Sequence, residues 1–321
     1  MTSQATVVRT GEDDELIEQF AKDCKVRRLT SESIRGYKGN LQIMSRFLRR
    51  NGLSLPHLDK HGLKTVLTYL IKEREVSSRT VGDYFSALSS FYQYLIWEDL
   101  ADSNPVLPFR KRYLGQYKNP RNHPRSERKL ISVKEMAMLI NSILDPRDKA
   151  ITTLFAKTGA RRVELISIDL DDIDWQEQSV LLKPKKKRSN LLVFFDDECA
   201  HVLMRWLRAR RNYEVNPGCK ALFVGEHGGR LKRHGVYRAV TKHAENVGLH
   251  DPESNRTEDH FTPHCCRHWF TTHLRRNGMR RELLQELRGD SRGEAVDIYD
   301  HIAKKELKRA YLAAMPTLGI S

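Results

Sequence analysis

Long apolar runs are missing from this sequence, and so is any paired-cysteine pattern. No stretch approaches the roughly 20 apolar residues that a membrane-crossing helix needs, and the opening MTSQATVVRTGEDDEL lacks the charged-then-apolar layout of a secretory signal. No membrane partner is expected, and the chain reads as a cytoplasmic protein. Five cysteines (24, 199, 219, 265 and 266) are odd in number and contain no Cys-x-x-Cys pair. That argues against a disulfide framework or a zinc ribbon and for reduced thiols. No self-similarity at a period of about 20 to 50 residues marks a solenoid. Acidic residues are also in short supply: 41 Asp and Glu against 56 Lys and Arg leave +15, with a pI near 9.6. A surplus of that size points to a polyanionic partner. The acidic run Asp169, Asp171, Asp172 and Asp174 lacks the turn glycine and distal glutamate of a calcium loop.

What is present divides into three parts. Residues 12–108 carry apolar side chains at helical spacing, as in Leu41, Met44, Phe47 and Leu48, with expected breaks at Gly36, Asn51-Gly52 and Ser77-Ser78. Residues 109–129 (FRKRYLGQYKNPRNHPRSERK) hold eight Lys or Arg, two prolines and one acid, a composition suited to a linker. Its Arg110, Lys111 and Arg112 could track phosphates or be a solvated tether. Residues 130–321 begin with a capping-box spacing, Ser132 and Glu135. A helix over 147–158 stops at Gly159, and IDLDDIDWQEQSVLLKPKKKRSNLLVFF alternates as two or three strands. The expected class is mainly α, with a helical N-terminal domain and a mixed α+β domain carrying a small antiparallel sheet.

Chemistry-bearing residues concentrate in the second domain. In TPHCCRHWFTTHLRRNG, His260, His264 and His268 recur every fourth residue, but Pro263 breaks the stack. Thr262 is then the N-cap, Pro263 the first helical position and Gly278 the stop. His264 and Arg267 share one face near the positively polarised helix start, a good place for an anion. His268 and His273 read as packed or satisfied histidines. Arg161 and Arg162 in TGARRVEL, and the cations Lys183, Lys185, Lys186, Lys187 and Arg188 of KPKKKR, are taken singly no more than surface charge. Tyr299 in DIYDHI is, taken singly, a core tyrosine with its hydroxyl satisfied.

The order of these pieces resembles the tyrosine recombinases, the family of phage-type integrases and Xer-like enzymes. Their pattern runs TGLR-x-x-EL, a hairpin lysine, H-x-x-RH-x-x-ATHL, LGH and Y-x-H. This chain has TGARRVEL, KPKKKR, HCCRHWFTTHL, RGD and YDH in the same order. The resemblance implies a SAM-like core-binding bundle followed by a catalytic domain. It also implies that Tyr299 is the nucleophile of a 3′-phosphotyrosyl intermediate. Arg161 and Arg267 would hold the phosphate, His264 would assist proton transfer, and Lys185 would protonate the leaving oxygen, with Lys183, Lys186 and Lys187 as alternatives. Arg162, Arg188 and the remaining turn lysines would contact DNA. No metal or nucleotide cofactor is implied. The implied partners are double-stranded DNA and further copies of the chain, a tetramer on paired sites, with an accessory protein left open.

Asp290 departs from the pattern, since an ionised carboxylate cannot donate to a phosphate as the LGH histidine would. Similar RGD variants occur in archaeal-type relatives. Either Asp290 orients Arg267 or another cation, or Arg288 or Arg292 supplies the donor. About fifteen residues precede the first expected helix, so no arm-type domain is expected, and YLAAMPTLGIS is a tail that either docks on a neighbouring subunit or frays. Two other readings are a type IB topoisomerase and a DNA-binding regulator that has lost catalysis. In a strand-cleavage assay, Tyr299→Phe is expected to abolish cleavage and Asp290→His to remain active; the reverse pattern refutes the assignment.

Overall fold

Side-chain caps set six of the helix starts among the described residues. The computed structural model describes residues 12–115, 129–184, 188–290 and 302–320. The chain divides into two compact units, Met1–Arg125 and Ser126–Ser321. In the first unit the order is α1 (Glu12–Val26), α2 (Ser31–Arg50), α3 (Lys60–Thr68), α4 (Ser78–Trp97) and α5 (Val106–Phe109). Thr30 Oγ1 accepts the Ser33 N–H at the start of α2, Asp59 accepts from His61 and Gly62 before α3, and Ser77 accepts from Thr80 before α4. The expected break at Gly36 does not occur. The apolar series Ile34, Tyr37, Leu41, Met44 and Leu48 stays on one face through it, and packing outweighs the roughly 1 kcal/mol that glycine costs a helix.

The core of this unit gathers Phe20, Leu41, Met44, Leu48, Phe85, Leu88, Phe91 and Leu95, with Phe20 and Phe91 edge to face at 5.6 Å. Two polar groups tie the loop after α2 to it. Tyr92 donates to Leu55 O at 2.8 Å and accepts from Leu58 N at 2.9 Å. Buried Asp13 accepts from Ser45 Oγ and Leu55 N. The expected linker starts too early. Phe109 stacks on Phe85 at 5.3 Å, and a π-helical turn over Arg110–Leu114 buries Leu114 in the same core. Arg110 donates to Ser86, whereas Lys111 and Arg112 are exposed. The apolar residues at 109 and 114 were hidden from a composition argument by the charges between them.

The second unit runs α6 (Val133–Ser142), α7 (Pro146–Thr158), α8 (Arg162–Ser167), β1 (Ile173–Asp174), β2 (Ser179–Leu181), β3 (Leu192–Phe194), α9 (Asp197–Arg210), α10 (Arg233–Asn246), α11 (Pro263–Arg276), α12 (Arg281–Arg288) and α13 (Lys304–Ala314). The strands form one antiparallel sheet in the order β1-β2-β3, with Ile173 opposite Val180 and Val180 opposite Val193. The Ser132–Glu135 capping box is complete. Helix α7 is the axis of this unit: residues 150–158 are all buried, and it packs on α9, α10, α11 and β3. All five cysteines are free. Among the described residues, no helix is long and apolar enough to cross a membrane.

Residues 315–320 lie on their own unit. Glu198 accepts the backbone N–H groups of Leu318, Gly319 and Ile320, and Leu318 is buried. Beside it Lys157, with no exposed surface, donates to Asp196 and Glu198 at 2.5 Å and to Pro316 O at 2.9 Å. The frayed end is therefore not what the described part of this segment adopts. Lys157→Met leaves two carboxylates without their cation, and is expected to lower the unfolding free energy of the full chain by about 2 to 4 kcal/mol in urea titration. An unchanged midpoint would show that this buried ion cluster contributes nothing net.

Candidate active site

The end of α7 creates the site. Gly159 adopts φ +59° and terminates the helix, and a Cβ there would lie 2.5 Å from the Phe270 ring. Glycine is therefore required twice over, by its left-handed backbone and by the close approach of α11. The turn delivers Arg161 to the N-cap position of α8, where Glu164 accepts both its backbone N–H (2.7 Å) and its Nη1 (2.9 Å). The carbonyl of Gly159 accepts Arg267 Nη1 at 2.7 Å. Arg267 stands in the first turns of α11, whose N-cap is Thr262 and whose first residue is Pro263.

Gly289, at φ +60°, ends α12 and turns Asp290 toward the same place. Asp290 Oδ1 accepts Arg161 Nη2 at 3.2 Å and Arg267 Nη2 at 3.3 Å. Its Oδ2 lies 3.1 Å from Arg288 Nε, an ionic contact not aligned as a hydrogen bond. Arg188 completes the group, its side chain fully enclosed and paired with Glu164 at 3.1 Å. The charges do not cancel: four guanidiniums (161, 188, 267, 288) against two carboxylates (164, 290) leave 4 − 2 = +2. Burial, then Arg161 and Arg288 nearby, drive the Arg267 guanidinium down to about 10. Burial alone would raise Glu164, but Arg188 and Arg161 outweigh it and hold the carboxyl below its ordinary value.

Arg161 and Arg267 open onto a cleft of about 360 Å³, also lined by Arg162, Tyr237, Thr262 and His264. A larger cavity, about 630 Å³ near Arg147 and Lys242, contains none of these residues. The structure thus brings together Arg161, Arg162, His264, Arg267 and Asp290. Tyr299, Lys185, Lys186 and Lys187 lie outside the described residues. Lys183 is held by Asp172 at 2.6 Å and Asp169 at 3.3 Å, and the Asp172 contact above all pushes its ammonium up, which disfavours proton donation. Arg188, expected from the sequence to face DNA, instead has its side chain fully enclosed under α12, paired with Glu164 and bonded to Leu287 O. His273 is packed and bonded to Ile131 O, whereas His268 is exposed. Among the described residues no three His, Cys, Asp or Glu converge in a way that could hold a metal ion.

Residues 130–306, more than half of the chain, match the phage integrase family, and residues 16–102 match the phage integrase N-terminal SAM-like domain. The chain belongs to the phage integrase family. It is a tyrosine-type site-specific recombinase, a class that breaks and rejoins DNA strands. Relatives of this integrase include the tyrosine recombinase XerC of Oceanobacillus iheyensis, 27% identical over 308 residues (94% of this chain and 95% of the relative). XerC of Herpetosiphon aurantiacus is 29% identical over 315 residues (94% and 96%). The fold is shared with the Tn1549 transposon integrase, solved with circular intermediate DNA (TM-score 0.66, 17% identity, 92% of this chain and 98% of that one). It is shared also with the XerH recombinase bound to a palindromic substrate (TM-score 0.62, 20% identity, 96% and 90%).

Sequence reasoning gave no role to Glu164 or Tyr237, and gave Arg188 a DNA-facing one. Glu164 was findable, since a carboxylate three residues after an arginine at an N-cap returns to that backbone. Nothing in the sequence signals Tyr237, which reaches the cleft from α10. Gly159→Ala is expected to cost about 2 kcal/mol or more, from strain and from the Phe270 contact, and to slow cleavage by moving Arg267. A thermal melt with a single-turnover assay checks both; wild-type values in each would contradict this packing account.

Proposed function

We propose that this recombinase binds a scissile phosphodiester of duplex DNA against Arg161 and Arg267, and that Tyr299 attacks the phosphorus to form a 3′-phosphotyrosyl bond. The supporting observation is the surplus of positive charge at the cleft: four guanidiniums against two carboxylates in the cluster, with Arg162 also on the cleft wall. A phosphodiester carries one negative charge and gains a second in its pentacoordinate transition state, so the cluster matches the state that must be stabilised. Of five N–H donors each, Arg161 gives two to Glu164 and Asp290, and Arg267 gives three to Gly159, Arg288 and Asp290. The remainder, 5 − 2 = 3 and 5 − 3 = 2 among the described residues, are left for phosphate oxygens. Asp290 is not among the cleft-lining residues and acts from behind, orienting guanidiniums it does not replace.

His264, exposed at the cleft wall in the first turn of α11, assists proton transfer. Lys185 protonates the leaving 5′-oxygen. The covalent bond to tyrosine conserves the phosphodiester's free energy, so religation needs neither nucleotide nor metal ion. The enzyme works in the cytoplasm as a tetramer on paired sites, with Lys111 and Arg112 on the DNA backbone.

The site is mapped first by sequencing insertion junctions in a host carrying the gene's native neighbourhood. A nicked suicide duplex of that site should then trap a covalent complex. Arg161→Ala and Arg267→Ala are each expected to slow its formation by about 10² to 10³. Absence of any covalent complex would favour a silent DNA-binding regulator; relaxation of supercoils without paired sites would favour a topoisomerase.

A further inference from the structure

The Arg188 side chain is wholly enclosed, with four of its N–H groups engaged. Nε donates to Asn190 O, folding the side chain back along the strand connection. Nη1 donates to Glu164 Oε2 and to Arg288 O, both at 3.1 Å, and Nη2 to Leu287 O at 2.8 Å. The two carbonyls belong to the last turn of α12, where orphan acceptors and the negative end of the helix dipole favour a cation. We propose that Arg188 is a positioning residue of the recombinase: one guanidinium that fixes, from the side away from DNA, both arms of the arginine cluster. The proposal rests on that cluster being the phosphate site.

Each joint of Arg188 leads to a phosphate-facing group. Through Glu164 it controls Arg161, because the oxygen it binds also takes the Arg161 backbone N–H and the other oxygen takes Arg161 Nη1. Through Arg288 O it controls Arg267, because that carbonyl also accepts Arg267 Nη2 at 3.0 Å. Through the end of α12 it fixes Asp290. Ser189 N donates to Gly289 O and Asn190 Nδ2 to Glu286 O, so the chain beside Arg188 is bonded to the same turn. At Gly289 a Cβ would collide with Arg188 Cγ, so the left-handed turn presenting Asp290 and the seated Arg188 side chain require the same glycine. Three side chains from α8, α11 and the end of α12 therefore take their places from one buried residue that touches no substrate.

A lysine keeps the charge of Arg188 but cannot reproduce a planar fork of four donors. Position and charge are thereby separable. The test uses the full chain, the suicide duplex described above, and the same duplex with a neutral methylphosphonate at the scissile position, where there is no anionic oxygen pair to neutralise. Arg188→Lys and Arg188→Met are both expected to slow single-turnover cleavage of the phosphate by about 10²-fold, and of the methylphosphonate by less than about tenfold. Equal defects on the two substrates would mean a general structural role, and wild-type rates for Arg188→Lys would mean that only its charge matters; either overturns the proposal. Should Arg188→Met fail to fold, Arg188→Lys carries the comparison alone. Failure of the wild-type protein to cleave either duplex would instead sink the functional reading itself.

Discussion

Like charges held close together are the constraint on which this site depends. Arg161, Arg188, Arg267 and Arg288 share two carboxylates and repel one another. Glu164 and Asp290 restrain them by lying between: Glu164 bridges Arg161 and Arg188, and Asp290 contacts Arg161, Arg267 and Arg288. Both carboxylates are needed for the arrangement to exist, and together they are too few to neutralise it. The guanidinium values of Arg267 and Arg188 are both lowered, first by burial, with the positive charge of Arg161 adding to it in each. An anion entering the cleft relieves the repulsion, and one that gains charge as it reacts relieves it further.

The fold keeps this unfavourable grouping from relaxing because its members hang from rigid elements with few alternatives. Helix α7 is buried along most of its length and ends at a glycine that no other residue could replace without striking Phe270. Its last turns hold Lys157, fixed by Asp196, Glu198 and the segment 315–320, while Tyr311 donates to the Lys157 carbonyl. The anchoring of that segment and the placement of Arg161 therefore share one helix terminus. Helix α11 brings Arg267 in on a buried face lined by Cys266, Trp269 and Phe270, so the guanidinium enters the cleft from inside the protein.

Much of this was legible because its signals are local. The caps at Ser132 and Thr262, the stops at Gly159 and Gly278, the three strands and the shared face of His264 and Arg267 all depend on residues within one or two turns of each other. The order of five separated motifs then suggested which of them belong together. Where the local argument failed, packing was the reason: Gly36 lies inside α2 because the apolar face continues past it, and Phe109 and Leu114 fold into the first unit although charged residues surround them in sequence.

By itself, then, the sequence determined several helix caps and stops, the basic surplus and the identity of the arginines, all of which follow from short-range geometry and counting. Only the tertiary structure decided which charges meet. The burial of Arg188 depends on α12 arriving a hundred residues later to offer it Leu287 O and Arg288 O. The role of Asp290 likewise depends on Arg161, 129 residues earlier in the chain. Electrostatic partnership is a matter of distance in space, and that distance is fixed by the packing of whole helices.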